Sequence, residues 1–116
     1  MHADPYRIRP DDLAETWSTS TRVDVTLSLP GVGETTRALS AVRTRLDAAG
    51  LGYTCTRALG GWQGHAEPAA IVSMIGATAE TGGRLAAAAA ISAGCTAVQI
   101  ETWRAGSYAA AEWRAR

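Results

Sequence analysis

The sequence predicts an α+β fold of the ferredoxin-like kind, a β-α-β-β-α-β sandwich with two helices on one face of a four-stranded antiparallel sheet. Three observations predict it. Four stretches carry strand-like patterns, two stretches of helical spacing fall between the first and second and between the third and fourth, and glycine or proline marks most junctions. That element order is the split-βαβ arrangement, in which right-handed crossovers bring both helices to the same side.

Residues 1–21 read as an N-terminal extension, polar and holding two prolines, with Asp11 to Trp17 as a short helix and Ser18 to Thr21 as a connector. The ferredoxin-like domain spans 22–104. From Arg22 the pattern alternates, with Val23, Val25, Leu27 and Leu29 on one face and Asp24, Thr26 and Ser28 on the other. Period two with one polar face is a half-buried strand. Pro30-Gly31 stops it, and Glu34 to Ala49 takes helical spacing, with Ala38, Leu39, Val42, Leu46 and Ala49 on one stripe. Gly50 stands where a left-handed cap ends such a helix.

Tyr53 to Leu59 alternates again and reads as the second strand. Gly60 to Pro68 reads as a loop rich in turn formers, and Ala69 to Ile75, apolar except for Ser73, as a central third strand. Thr78 is placed to cap a second helix whose interior, Leu85 to Ile91, is nearly all alanine. Gly94 ends it. Ala97 to Trp103 is the fourth strand, with Val98, Ile100 and Thr102 opposite Gln99, Glu101 and Trp103. Residues 105–116 are a C-terminal extension: alanine favours a helix, whereas Tyr108 and Trp113 would equally anchor a strand.

Composition limits the function classes. Eleven arginines balance 11 acids with no lysine, so the formal net charge is zero. Phosphate neutralisation needs a basic surface, which argues against nucleic acid as a partner. Little repulsion between copies favours a homo-oligomer. No apolar run approaches the roughly 20 residues of a membrane span, and the first residues lack the basic and apolar regions of a signal peptide. Cys55 and Cys95 lack metal or redox spacing and read as small buried thiols. The expectation is a cytoplasmic protein off the membrane.

The open sheet face is expected to carry Asp24, Thr26, Ser28, Thr54, Thr56, Gln99, Glu101 and Trp103, together with one apolar set from the third strand. Such a half-apolar face reads as a contact surface or ligand platform. The Gly60–Pro68 stretch is the second candidate. Its glycines permit close backbone approach, Trp62 offers an aromatic plane, His65 an imidazole that can donate or accept, and Glu67 is an acceptor held before a proline. Gly60-x-Trp62-x-Gly64-x-x-Glu67 resembles a G-x-aromatic-x-G-x-x-E pattern in the hairpin of small phage-encoded and bacterial accessory proteins. That pattern usually has a serine two positions after the glutamate; Ala69 stands there in this chain. The resemblance implies a phage or mobile-element context.

No catalytic, metal or cofactor set is assigned by spacing. Gly33 and its neighbours lack the lysine of a phosphate loop, and Gly82-Gly83 reads as close packing. The function expected from sequence is a non-catalytic, oligomeric binding module that captures a protein or a small ligand such as a nucleotide. Trp62, His65, Glu67, Glu101 and Trp103 are its contact residues, and an accessory or counter-defence role is its setting. Two other readings stand beside it: a small enzyme whose pocket lies at a subunit interface, with Glu67 and Glu101 as an acid–base pair, and a structural subunit of a larger assembly.

Overall fold

The computed structural model describes residues 21–62 and 64–115. The short helix expected over Asp11 to Trp17 lies outside the described residues. The elements are β1 (Arg22–Ser28), α1 (Val32–Ala48), β2 (Thr54–Trp62), β3 (His65–Ile75), α2 (Ala79–Ser92), β4 (Ala97–Arg104) and β5 (Ser107–Arg114). The sheet is antiparallel throughout and has five strands, not four, in the order β2-β3-β1-β4-β5.

Alternation in β1 sets the layers. Val23, Val25 and Leu27 are fully buried beneath the helices, and they lie opposite Met74, Val72 and Ala70 of β3. On its other side β1 pairs with β4, Val25 meeting Ile100. From α1 come Ala38, Leu39, Val42 and Leu46, and from α2 come Ala79, Ala86, Ala87 and Ala90, all buried in the same cluster. Burying a Val or Leu side chain contributes about 1.5–3 kcal/mol, so this single layer is the main source of stability.

The α2 helix lies very close to the sheet. A Cβ built on Gly83 would sit 2.7 Å from Val23 Cγ1, and one on Gly82 would sit 2.7 Å from Met74 Sδ. The pair is therefore close packing, as its sequence suggests. Thr35 supplies a device that alternation does not reveal. Its hydroxyl donates to the Leu29 carbonyl (3.0 Å) and accepts from the Leu29 amide (3.1 Å), which fixes the turn between β1 and α1. The first helix ends at Gly50 and the second at Gly94, both at positive φ.

Two expectations need correction, and one open alternative is decided. Gly60 to Pro68 is not an open loop: β2 and β3 run on to the pair Trp62↔His65, so the connection is a tight turn at the tip of a long hairpin. The hydroxyl of Thr78 makes no capping hydrogen bond, although the residue occupies the N-cap position. The C-terminal extension, open between helix and strand in the sequence, is a strand that covers the edge of β4. A turn at Ala105 and Gly106, both at positive φ, brings Ser107 back beside Arg104. Pairing to a neighbour here outweighs the helix propensity of three alanines.

Gly83→Ala should destabilise the fold by about 1 kcal/mol in urea melts, because overpacking against the stiff Val23 costs about 1–3 kcal/mol and outweighs the roughly 1 kcal/mol gain in helix propensity. Gly82→Ala should be near neutral, since the Met74 thioether can swing aside. Equal effects would show that α2 does not rest on Val23.

Candidate functional site: two ends of the open sheet face

With Val23, Val25 and Leu27 turned to the helices, Arg22, Asp24, Thr26 and Ser28 face the other side. Register places Glu101 opposite Asp24, Trp103 opposite Arg22 and Ala69 opposite Ser28 on that face. The expected face residues are thus on one surface, but they divide between its two ends.

At one end Arg22, Asp24, Glu101, Trp103 and Tyr108 meet. Asp24 and Glu101 are two carboxylates directly opposite each other, an arrangement that repels, and Asp24 is only 8% exposed. Each is held by a donor. Arg22 forks onto Asp24, with Nε–Oδ1 at 3.2 Å and Nη2–Oδ2 at 2.9 Å, while the Tyr108 hydroxyl donates to Glu101 Oε2 at 3.0 Å. The same guanidinium lies 4.9 Å over the Trp103 ring, which is 5.4 Å from the Tyr108 ring at a tilt of 44°. Donating to Glu101 raises the Tyr108 pKa above its ordinary value, and the hydrogen bond and charge of Asp24 raise that of Arg22. Every polar group named here has its partner within the chain, so the cluster clasps β5 to β4 and β1.

At the other end lie Glu67, Ser28 and the hairpin. Ser28 Oγ donates to the Pro68 carbonyl at 2.8 Å, with Glu67 Oε2 3.3 Å away. Glu67 is half-buried where the hairpin leaves the body of the sheet, opposite Gly60. His65 is exposed beside the turn and pairs with Trp62; the Trp62 side chain lies outside the described residues. Glu67 has acceptor capacity beyond its single 3.3 Å contact with Ser28 and no cation beside it among the described residues, whereas Glu101 accepts from Tyr108 and lies near Arg22. A carboxylate so placed can accept from an amine or another cation.

These two ends do not form one acid–base pair. By register Glu67 sits about six residue steps along the sheet from Glu101, roughly 20 Å at about 3.3 Å per residue. Arg22 and Tyr108 join the face without a signal in the sequence, because their places follow from register. Asp24 and Ser28 were visible as the polar half of an alternating strand, but their partners depend on register. Burial pushes the thiols of Cys55 and Cys95 up, which keeps them protonated and poor nucleophiles. On the opposite side of the sheet a cleft of about 740 Å³ runs between the helices, lined by Arg37, Thr44, Arg45 and small residues of α2. Among the described residues no helix is long and apolar enough to cross a membrane.

No known family model matches the chain, and no curated protein sequence matches it. Among solved structures the fold is similar to that of a phage SAM lyase in its apo state, with a TM-score of 0.57 and 14% identity over 89% of this chain and 96% of that one. The likeness therefore extends over nearly all of both chains, at the level of the fold.

Glu101→Gln should lower the pKa of Tyr108 toward the ordinary phenol value, because it removes the anion that opposes ionisation of the hydroxyl. The change is read as tyrosinate absorbance against pH, with Tyr108→Phe identifying the signal. An unmoved titration would separate Tyr108 from Glu101.

Proposed function

We propose that this chain is a phage-type accessory enzyme that cleaves S-adenosylmethionine (SAM), with the substrate at the Glu67–Ser28 end of the open sheet face. The supporting observation is the correspondence of fold with a phage SAM lyase across nearly the full length of both chains. Fold alone is an analogy; the residues give it chemical sense. In this reading the first four strands and both helices are a ferredoxin-like unit, and β5 is an added edge strand.

Cleavage of a carbon–sulfur bond at a sulfonium leaves the bonding pair on sulfur, which departs as a neutral thioether. No proton donor is needed for such a leaving group. The carbon is then satisfied by a nucleophile within the substrate or by loss of a neighbouring proton, and neither path consumes water. The protein's part is to orient the substrate and match its charge. Among the described residues the open face carries no conventional nucleophile–base constellation, and such a face suits this reaction better than it suits hydrolysis.

Glu67 supplies the anion that holds the cationic, amine-bearing end of the substrate, and Ser28 supplies a hydroxyl beside it. The accessory-protein pattern has a serine where this chain has Ala69, and Ser28 is the residue directly across the sheet from Ala69. The hydroxyl is thus carried by the neighbouring strand. In one copy this face is open, so a homo-oligomer that seats a second surface on it would enclose the substrate. In this reading His65, exposed beside the turn of the hairpin, belongs to that enclosure. Consumption of SAM also fits the cytoplasmic setting expected from the sequence.

A second reading keeps the non-catalytic module: the chain binds SAM and withholds it without cleavage. The weak catalytic inventory of the face favours it. Both readings are separated by incubating the full chain with SAM, following its loss and the appearance of a thioether nucleoside by liquid chromatography, and measuring binding by calorimetry. Loss of SAM is expected, and Glu67→Gln should weaken binding by about tenfold or more, the worth of one charge-assisted hydrogen bond. Binding without turnover supports sequestration; neither binding nor turnover removes SAM from the account.

A further inference from the structure

We propose that the outer edge of β5 is a self-association surface on which β5 of a second copy pairs antiparallel, joining two sheets into one. This inference does not rest on the SAM reading. The strand has eight residues, all exposed. Its inner edge is bonded to β4 along the whole length, and among the described residues nothing pairs with its outer edge. Natural edge strands are blunted by lysine, proline, bulges or inward charges. The middle of β5 is Ala109-Ala110-Ala111, and its register with β4 runs unbroken from Ser107 to Arg114. Methyl side chains leave the backbone groups of that edge open to another strand.

The sequence of β5 also fits itself. When both copies keep their helices on the same side, paired residues must share a face, so the two-fold axis passes through a residue. Centres at Ala110 and at Ala111 each pair seven of the eight residues, and the Ala111 centre pairs Tyr108 through Arg114, leaving out Ser107. Tyr108 then meets the partner's Arg114, Ala109 meets the partner's Trp113, and Ala110 meets the partner's Glu112. Each bulky side chain faces a small one, apart from Tyr108, which faces a cation it can hold over its ring. No like charges stand opposite, and the zero formal charge of the chain adds no net repulsion. Trp113, still 36% exposed in one copy, gains cover on its outer side.

Ala111 facing its own copy makes the test specific. By light scattering after size exclusion, the full chain should show a mass of at least twice 12.1 kDa. Ala111→Lys and Ala111→Glu each place like charges across the axis and should weaken association by roughly tenfold, while an equal mixture of the two variants should regain it. Unchanged far-ultraviolet circular dichroism establishes that the exposed substitution has not altered the fold, and either variant alone suffices for the comparison. A monomeric wild-type chain would overturn the proposal. So would variants that associate as well as wild type, or a mixture that fails to recover.

Discussion

Everything else in the structure depends on the burial of Val23, Val25 and Leu27 beneath α2 and α1. The close seat of α2 at Gly82 and Gly83 fixes which face of β1 is inside. In a strand, a shift of one residue would exchange the two faces completely. Packing on one side therefore dictates the chemistry of the other. Because the valines point to the helices, Arg22, Asp24 and Ser28 must line the open face. Pairing with β3 and β4 then brings Ala69, Glu101 and Trp103 beside them.

That face carries an electrostatic problem and its solution. Two carboxylates from adjacent strands lie opposite each other, one of them nearly buried. Arg22 and Tyr108 neutralise the conflict, and Trp103 lies between them as a shared surface. The cluster also makes the fifth strand integral to the sheet, since Tyr108 belongs to β5 and Glu101 to β4. Glu67 stands at the other end, half-buried, with the Ser28 hydroxyl near it and no cation beside it among the described residues.

The parts of the fold that were legible in sequence were those governed by period. Both helices, the first strand and the fourth were readable because one face is apolar and the other is not, and Gly50 and Gly94 marked the helix ends. The fifth strand was not legible. Ser107 to Arg114 is alanine-rich and wholly exposed, so neither alternation of burial nor local propensity distinguishes it; only the waiting edge of β4 does. The hairpin was legible, but how far its strands run was not, for a related reason. Glycines and a proline signal a loop when counted locally, yet Gly60, Gly61 and Pro68 all sit in a continuous ladder. For the site, residue types on the face were readable and their grouping was not, because grouping depends on register. Glu67 and Glu101 looked like possible partners until the strands were aligned and placed them at opposite ends.

The central claim is that the working end of the sheet is the Glu67–Ser28 end and that the aromatic cluster is structural. The most direct measurement is an amide chemical-shift titration of the full, isotopically labelled chain with SAM. The account predicts that the largest shifts fall at Ser28 and from Glu67 to Ala69. Shifts concentrated instead at Asp24, Glu101, Trp103 and Tyr108 would contradict it, as would a spectrum that SAM leaves unchanged.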